Sequence, residues 1–301
     1  SHCGVEEGHK DTHWTDRGPI CRRCAHRREI ARKAMRQGEE EQRDFSRIAD
    51  SGDNQRVRRR GHLAVIYGDG RNVGGVIDSL RTPLQFALFS QILDEAMKAS
   101  LDVLKELGLD GRSYIRLLAG GDDLLLVLPA SKAFDYAIRF CQEVEARIDD
   151  LAQEGDVFDA PMQEAFRRMG LGVGIVYCPS TFPIRLASQL AERLMKGSKE
   201  RAYRQSSEEI RSTIDFLAVT GNAFLAPGDR EERIYRGEDG RPLREGADPA
   251  GERYCLTQRP LSLNEAERLA QEVRLLEGIP RSQRYILRSV ATLSPVDLKL
   301  Y

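Results

Sequence analysis

Between residues 60 and 220 the apolar positions follow two rhythms, short unbroken runs and stripes at helical spacing, and each switch marks a new element. "LAVIY" (63–67) is a strand-length apolar run that stops at Gly-Asp-Gly. "TPLQFALFSQILDEAMKASLDVLKEL" places apolar residues at helical spacing, with Thr82 as N-cap and Pro83 at the first helical position. "SYIRLLA" and "LLLVLP" read as two strands joined through "GGDD", followed by a helix over "SKAFDYAIRFCQEVEARIDDLA". A loop rich in Asp, Gly and Pro leads to the strand "GLGVGIVYC", the helix "PIRLASQLAERLMKGSKERAY" and the strand "STIDFLAV". The order βαββαβ predicts an α+β fold, an antiparallel ferredoxin-like sheet with its helices on one face.

The flanks have a different texture. From Arg27 to Arg60 charge dominates, which predicts an exposed helix over "REIARKAMRQGEEEQRDFSRIA" and then a loop. The run Arg56 to Arg60 reads either as a solvated linker or as a contact for RNA phosphates. After this core, residues 221–257 read as an extended hairpin with polar tips, and two helices with apolar stripes follow near 262–277 and 280–292. Three regions result: 1–60, a metal-stapled module and linker; 61–222, the βαββαβ domain; 223–301, a hairpin and helical extension.

Composition narrows the class. The 301 residues are 41% hydrophobic, enough for a sizeable core, and 46 basic against 47 acidic side chains leave a net charge of −1. The chain as a whole therefore lacks the cationic surface that holds nucleic acid nonspecifically. No apolar stretch is long enough to predict a membrane span and no leader pattern precedes residue 20, so the cytoplasm is the expected compartment. The opening on Ser1 and the ending on "DLKLY" suggest a piece of a longer gene product.

Cys21 and Cys24 form a C-x-x-C with Cys3 upstream, three quarters of a zinc ribbon. A cysteine before Ser1 would complete it, or one of His2, His9, His13 and His26 is the fourth ligand. Cys141, Cys178 and Cys255 sit in apolar patterns and read as core residues.

Two carboxylate positions acquire a spatial relation through the topology. Asp69 follows the first strand and Asp122 and Asp123 lie in the hairpin between the second and third, strands that neighbour one another in this order. Clustered like charges repel and raise one another's pKa, so the expected neutralising partner is a divalent cation, Mg²⁺ before others. Gly120 and Gly121, with Gly70, Arg71, Asn72, Val73 and Gly74 after the first strand, allow backbone to approach closely and to turn N–H groups toward an anion. A nucleoside triphosphate is the ligand this suggests.

The segments "LAVIYGDGRNVG", "FALFSQILDEA", "LLAGGDDLLLVLPASKAFDYA", "GLGVGIVYCPSTFPIRLASQLAERLMKGSKERA", "STIDF" and the stretch from "CLTQRP" to "YILRSV" resemble the cyclase palm and following region of the large signalling subunit of type III CRISPR effector complexes. The likeness covers roughly residues 60 to 301 and includes a cysteine zinc motif upstream. It implies a nucleotidyltransferase that converts ATP to cyclic oligoadenylates, with two Mg²⁺ or Mn²⁺ ions per site and a structural Zn²⁺. Its implied partners are other effector subunits with guide RNA and target RNA, and a second palm domain. Asp69 and Asp122 become metal ligands, the Gly70 carbonyl a third, and Asp123 a second-metal ligand or the group that helps deprotonate the attacking 3′-hydroxyl. Lys199 matches a lysine that binds terminal phosphates, and Ser90 a serine at the adenine edge.

Where the family reads D-x-D-x-x-G, this chain has Asp69-Gly70-Arg71-Asn72-Val73-Gly74, so Arg71 replaces the second acid and either contacts phosphate or signals altered activity. Asp-Asp-Leu in place of Glu/Asp-Glu-Phe, and the lack of an upstream Arg-x-x-Asp, separate the chain from diguanylate cyclases. Two alternatives keep the same fold: a stand-alone cyclic dinucleotide synthase, and a catalytically inactive nucleotide-binding scaffold.

Overall fold

Strand β3 (His62–Arg71) lies inside a six-stranded sheet, and its burial explains the architecture: Leu63 to Ile66 are all buried, so both of its faces are covered. A computed structural model of the chain describes residues 12–15, 18–21, 45–51, 61–153, 157–204, 210–219, 245–247, 253–255, 259–280, 282–284 and 286. It divides into two compact units, Ser1–Asp44 and Phe45–Tyr301.

In the first unit β1 (Thr12–Thr15) and β2 (Gly18–Cys21) form an antiparallel hairpin. Cys21 closes β2 and His13 lies in β1, but the side chains of both, together with Cys3, Cys24, His2, His9 and His26, lie outside what the structure describes.

The second unit begins with α1 (Phe45–Asp50), the described part of the charged segment before residue 60. Its Phe45 and Ala49 pack against the sheet, so the globular unit starts earlier than charge density suggests. After β3 come α2 (Val73–Ser79) and α3 (Pro83–Glu106), then β4 (Ile115–Gly120) and β5 (Asp123–Pro129). A single 3₁₀ turn leads into α4 (Ala133–Gln153), followed by α5 (Ala160–Arg167), β6 (Gly170–Pro179), α6 (Ile184–Arg204) and β7 (Thr213–Ala218). A small hairpin, β8 (Glu245–Ala247) with β9 (Arg253–Cys255), precedes β10 (Leu261–Ser262) and α7 (Leu263–Leu275).

The strand order is β10-β7-β6-β3-β5-β4. Its β6-β3-β5-β4 portion is antiparallel throughout and is the ferredoxin-like arrangement expected from βαββαβ. β7 joins parallel to β6 and β10 closes that edge antiparallel.

The expectation of helices on one face needs correction. Ala64, Ile66, Leu124, Leu126, Val173 and Ile175 pack with α3, α4 and α5 on one side, whereas Leu63, Val65, Val127, Val176 and Cys178 pack with Ala187, Ala191 and Leu194 of α6 on the other. The reason is topological: parallel strands cannot be joined by a tight turn, so the β6–β7 crossover has to pass over a face, and the free one takes α6. Cys141 and Cys178 are buried free thiols, as their apolar surroundings suggested, and burial pushes the Cys178 thiol up to about 12.

Helix α3 is anchored by a capping box. Thr82 Oγ1 accepts from the Gln85 amide at 3.2 Å while Gln85 Oε1 accepts from the Thr82 amide at 3.1 Å, which satisfies two donors the helix leaves open. Thr82→Ala should therefore lower unfolding stability by about 1 kcal/mol in urea titration. A change below the error of the titration would mean that Gln85 alone holds the helix start.

Candidate active site

The pleat of β3 and β5 decides where each carboxylate goes. Gly68 faces Leu124, and an added Cβ there would meet Phe140 at 3.5 Å and Leu124 at 3.8 Å, so the even positions of both strands look toward α3 and α4. Tyr67 and Asp69, with Leu125 and Asp123 across from them, therefore look toward α6. Asp69 also stands opposite Gly172 of β6. That glycine leaves a channel: a Cβ on it would fall 2.5 Å from Cγ of Lys199, which runs down from α6 through the gap. The Lys199 ammonium ends 2.5 Å from Asp69 Oδ2 and donates to the Gly70 carbonyl at 2.6 Å.

Asp122 goes the other way. Gly120 pairs with Asp123, which leaves Gly121 and Asp122 as a two-residue hairpin loop, and Gly121 supplies the left-handed φ of +60° that such a loop needs. The Gly70 amide donates to the Asp122 carbonyl at 3.2 Å. A Cβ on Gly70 would lie 2.8 Å from both Cβ and Oδ2 of Asp122, so the Asp122 side chain occupies the space glycine leaves on the α3 side of β3.

Adjacent aspartates thus serve opposite faces of one strand end, yet all three carboxylates still feel one another. Burial, then repulsion from Asp69 and Asp123, raises the Asp122 pKa above the ordinary carboxylate value. Burial and Asp69 raise that of Asp123, with Lys199 and a hydrogen bond from Tyr67 pulling back.

The expected three-carboxylate cage is therefore not what the backbone builds. Among the described residues no three His, Cys, Asp or Glu side chains are gathered closely enough to hold a metal by themselves. The pleat separates Asp122 from the other two, and Lys199 supplies the positive charge at Asp69. The donor set nevertheless suits Mg²⁺ or Mn²⁺, which take one or two protein carboxylates and fill the rest of the shell with water and phosphate oxygens. A divalent ion would also relieve the repulsion that raises Asp122 and Asp123.

The remaining sequence candidates are scattered in role. Asn72, with φ of 63°, turns the chain into α2, and its side-chain Nδ2 donates to the Ala165 carbonyl at 3.1 Å. Val73 packs against the larger core, while a Cβ on Gly74, Gly120 or Gly121 would meet nothing within 4 Å, so this rim is open to a ligand. Ser90 is exposed on α3, beside buried Phe89.

Arg71 does not reach toward that rim. Its Nη1 donates to the Ile210 and Arg211 carbonyls and its Nη2 to the Ala202 carbonyl at 3.3 Å, so the direct phosphate contact has no geometric support.

Near Arg71 lies a half-buried polar group that the sequence does not mark: Glu145, Asp149 and Arg211, with buried Ser212. Arg211 Nη1 is 2.6 Å from Asp149 Oδ2, while Glu145 Oε1 and Asp149 Oδ1 have no hydrogen-bond partner. Burial raises the Glu145 pKa despite a hydrogen bond from Ser212 and the Arg211 charge. The folded state then keeps this proton at pH values where the unfolded chain has lost it, so stability falls as pH rises from about 4.5 through the folded pKa. Glu145→Gln should match the wild type in thermal stability below that range and exceed it above; a variant less stable at neutral pH would show that the ionised form is the stabilising one.

Two further residues belong to the α6 side of the site. Tyr67 hydrogen-bonds Asp123, and Glu192 of α6 adds negative charge near both. Period-two counting back from Asp69 finds Tyr67; nothing in the sequence marks Glu192.

A family model described as Cas10/Cmr2, second palm domain, matches residues 62–207. Those residues carry the pattern of the second palm domain of Cas10/Cmr2. The match confirms the resemblance to the type III effector cyclase palm. The Cas10/Cmr2 palm also has solved likenesses: the Csm1–Csm4 cassette in complex with cA3 has a TM-score of 0.50 at 15% identity, covering 85% of this chain and 31% of that one. The same cassette with AMPPNP gives 0.48 at 16%, over 85% and 31%, and Csm1 in T. onnurineus gives 0.40 at 16%, over 84% and 35%. At such identity the cassette with cA3 speaks for the fold alone. The chain spans about a third of the length of these relatives. No curated protein matches it in sequence, and no described helix is long and apolar enough to cross a membrane.

Proposed function

We propose that this Cas10/Cmr2 palm is a metal-dependent nucleotidyltransferase that converts ATP to cyclic oligoadenylates by attack of a 3′-hydroxyl on an α-phosphate. The observation that carries the reading is the position of Lys199, whose ammonium sits on Asp69 and the Gly70 carbonyl at the end of the central strand, on the face shared with Asp123. Asp69, Asp122 and Asp123 would hold two Mg²⁺ or Mn²⁺ ions, which lower the pKa of the attacking hydroxyl and neutralise the α-phosphate and the departing pyrophosphate.

Lys199, which pairs with Asp69 here, would meet the terminal phosphates of a bound triphosphate, and Asp69 would then be free to hold a divalent ion. Asp123, which accepts a hydrogen bond from Tyr67, would either hold the second ion or help remove the hydroxyl proton. The open rim at Gly74, Gly120 and Gly121 would admit the triphosphate, and Ser90 would meet the adenine edge.

In the proposed setting the palm works beside a second palm within an effector that carries guide RNA and target RNA, in the cytoplasm. The similar Csm1–Csm4 cassette was solved with cA3, which is in keeping with that product class. A structural zinc on Cys3, Cys21 and Cys24 is part of the same proposal, and metal analysis of the purified chain tests it.

Incubating the chain with radiolabelled ATP or GTP and Mg²⁺ or Mn²⁺, alone and with its effector partners, and resolving the products decides the matter. Cyclic oligoadenylates support the reading. A cyclic dinucleotide would replace it with a different synthase, and nucleotide binding without turnover under either condition would make the palm a scaffold.

A further inference from the structure

Arg71 stands where the family pattern carries an acid, and the geometry around it is built in detail. It lies opposite Gly170 at the end of β3, immediately after the two residues that Lys199 engages. Its guanidinium donates to the carbonyl of Ala202, in the last turn of α6, and to those of Ile210 and Arg211, where the chain turns into β7. The guanidinium carbon also lies 5.1 Å from the centre of the Tyr203 ring. Ala202 and Tyr203 follow Lys199 by three and four positions, one helical turn, so they stand directly beside it on α6.

Two cations therefore stitch the same two elements together in opposite directions. Lys199 reaches from helix to strand, to Asp69 and Gly70; Arg71 reaches from strand to helix, to Ala202 and Tyr203. The carbonyls at a helix C-terminus have no intrahelical donors, and a fixed guanidinium satisfies them while complementing the negative end of the helix. A fork of rigid donors suits this task better than a carboxylate, which would repel the same carbonyls.

We propose that Arg71 is a positioning residue: it clamps the last turn of α6 to the end of β3 and so fixes the reach of the Lys199 ammonium over the nucleotide site. The proposal rests on the reading of Lys199 as the group that meets terminal phosphates. It gives the substitution of the family's second acid a role, since the charge reversal moves this position from ligand binding to support of the helix that binds the ligand.

The test is a double-mutant cycle in the 301-residue chain, with α,β-methylene ATP and Mn²⁺ as the probe and AMP with Mn²⁺ as the control, followed by calorimetry. Arg71→Met and Lys199→Met should each weaken triphosphate binding by about tenfold, and the double variant by no more than either alone, because both act through one ammonium. AMP, which lacks terminal phosphates, should change less than about twofold. Arg71→Lys should restore part of the affinity, and it serves as the clamp variant if Arg71→Met does not fold.

Equal losses for AMP and the triphosphate, or losses that multiply to about a hundredfold in the double variant, would overturn the clamp and leave Arg71 a general stabiliser. If the wild type binds no triphosphate, the functional reading fails first, and hydrogen exchange then tests the clamp alone. Arg71→Met should speed exchange of amides 199–203 while leaving those of α3 unchanged, and a uniform or absent effect would refute it.

Discussion

Asp122→Asn combined with Asp123→Asn should reduce nucleotide product by at least about a thousandfold while the melting temperature stays level or rises. The two halves of that outcome share one cause. Both carboxyls are raised above the ordinary carboxylate range, chiefly by burial and then by neighbouring negative charge. The folded chain holds their protons to higher pH than the unfolded chain does, so their ionisation opposes folding from the ordinary carboxylate range upward.

Amides keep the shape and remove that opposition, but bind divalent ions poorly. Labelled-ATP product analysis and a thermal melt on the same preparation measure both halves. Product at the wild-type level would end the assignment of these residues to catalysis. A fall of many degrees in melting temperature would show instead that the carboxylates hold the hairpin.

Gly174→Ala should be the most damaging single change in the scaffold, lowering stability by about 3 kcal/mol or more by denaturant titration. α6 lies directly on this residue: a Cβ would fall 2.1 Å from the Ala191 carbonyl oxygen and 2.6 Å from the Met195 amide nitrogen. These are backbone atoms of a helix and cannot swing aside as a side chain could. The whole helix must lift, which loosens Ala187, Ala191 and Leu194 from the sheet and moves Lys199 with them. The variant should therefore lose triphosphate affinity as well as stability. Full retention of both would mean that α6 is held more loosely than its contacts imply.

The elements of the palm were legible because their periods are clean. Val65 and Ile66, or Phe89 and Ile92, declare strand and helix without help from the rest of the chain. α5 was not, because Asp159 and Pro161 read as loop residues; they are in fact its N-cap and first turn, and Met162 and Phe166 four positions apart bury its single apolar stripe. The face that α6 occupies was also hidden, since a stripe shows that a helix packs but not on which side of a sheet.

At the site, adjacency in sequence misled. Asp122 and Asp123 read as a pair, and the pleat directs them to opposite sides once register with Gly68 and Gly70 is known. The partners of Arg71 lie 131 to 140 residues away, beyond any local pattern.

Gly172 gives this arrangement a sensitivity of its own. The lysine descends through a slot whose width is one missing methyl group, so a substitution at residue 172 would steer the ammonium without altering any charged side chain. Sequences that keep every acid and the lysine yet carry alanine there would look intact by motif and still hold their cation in the wrong place.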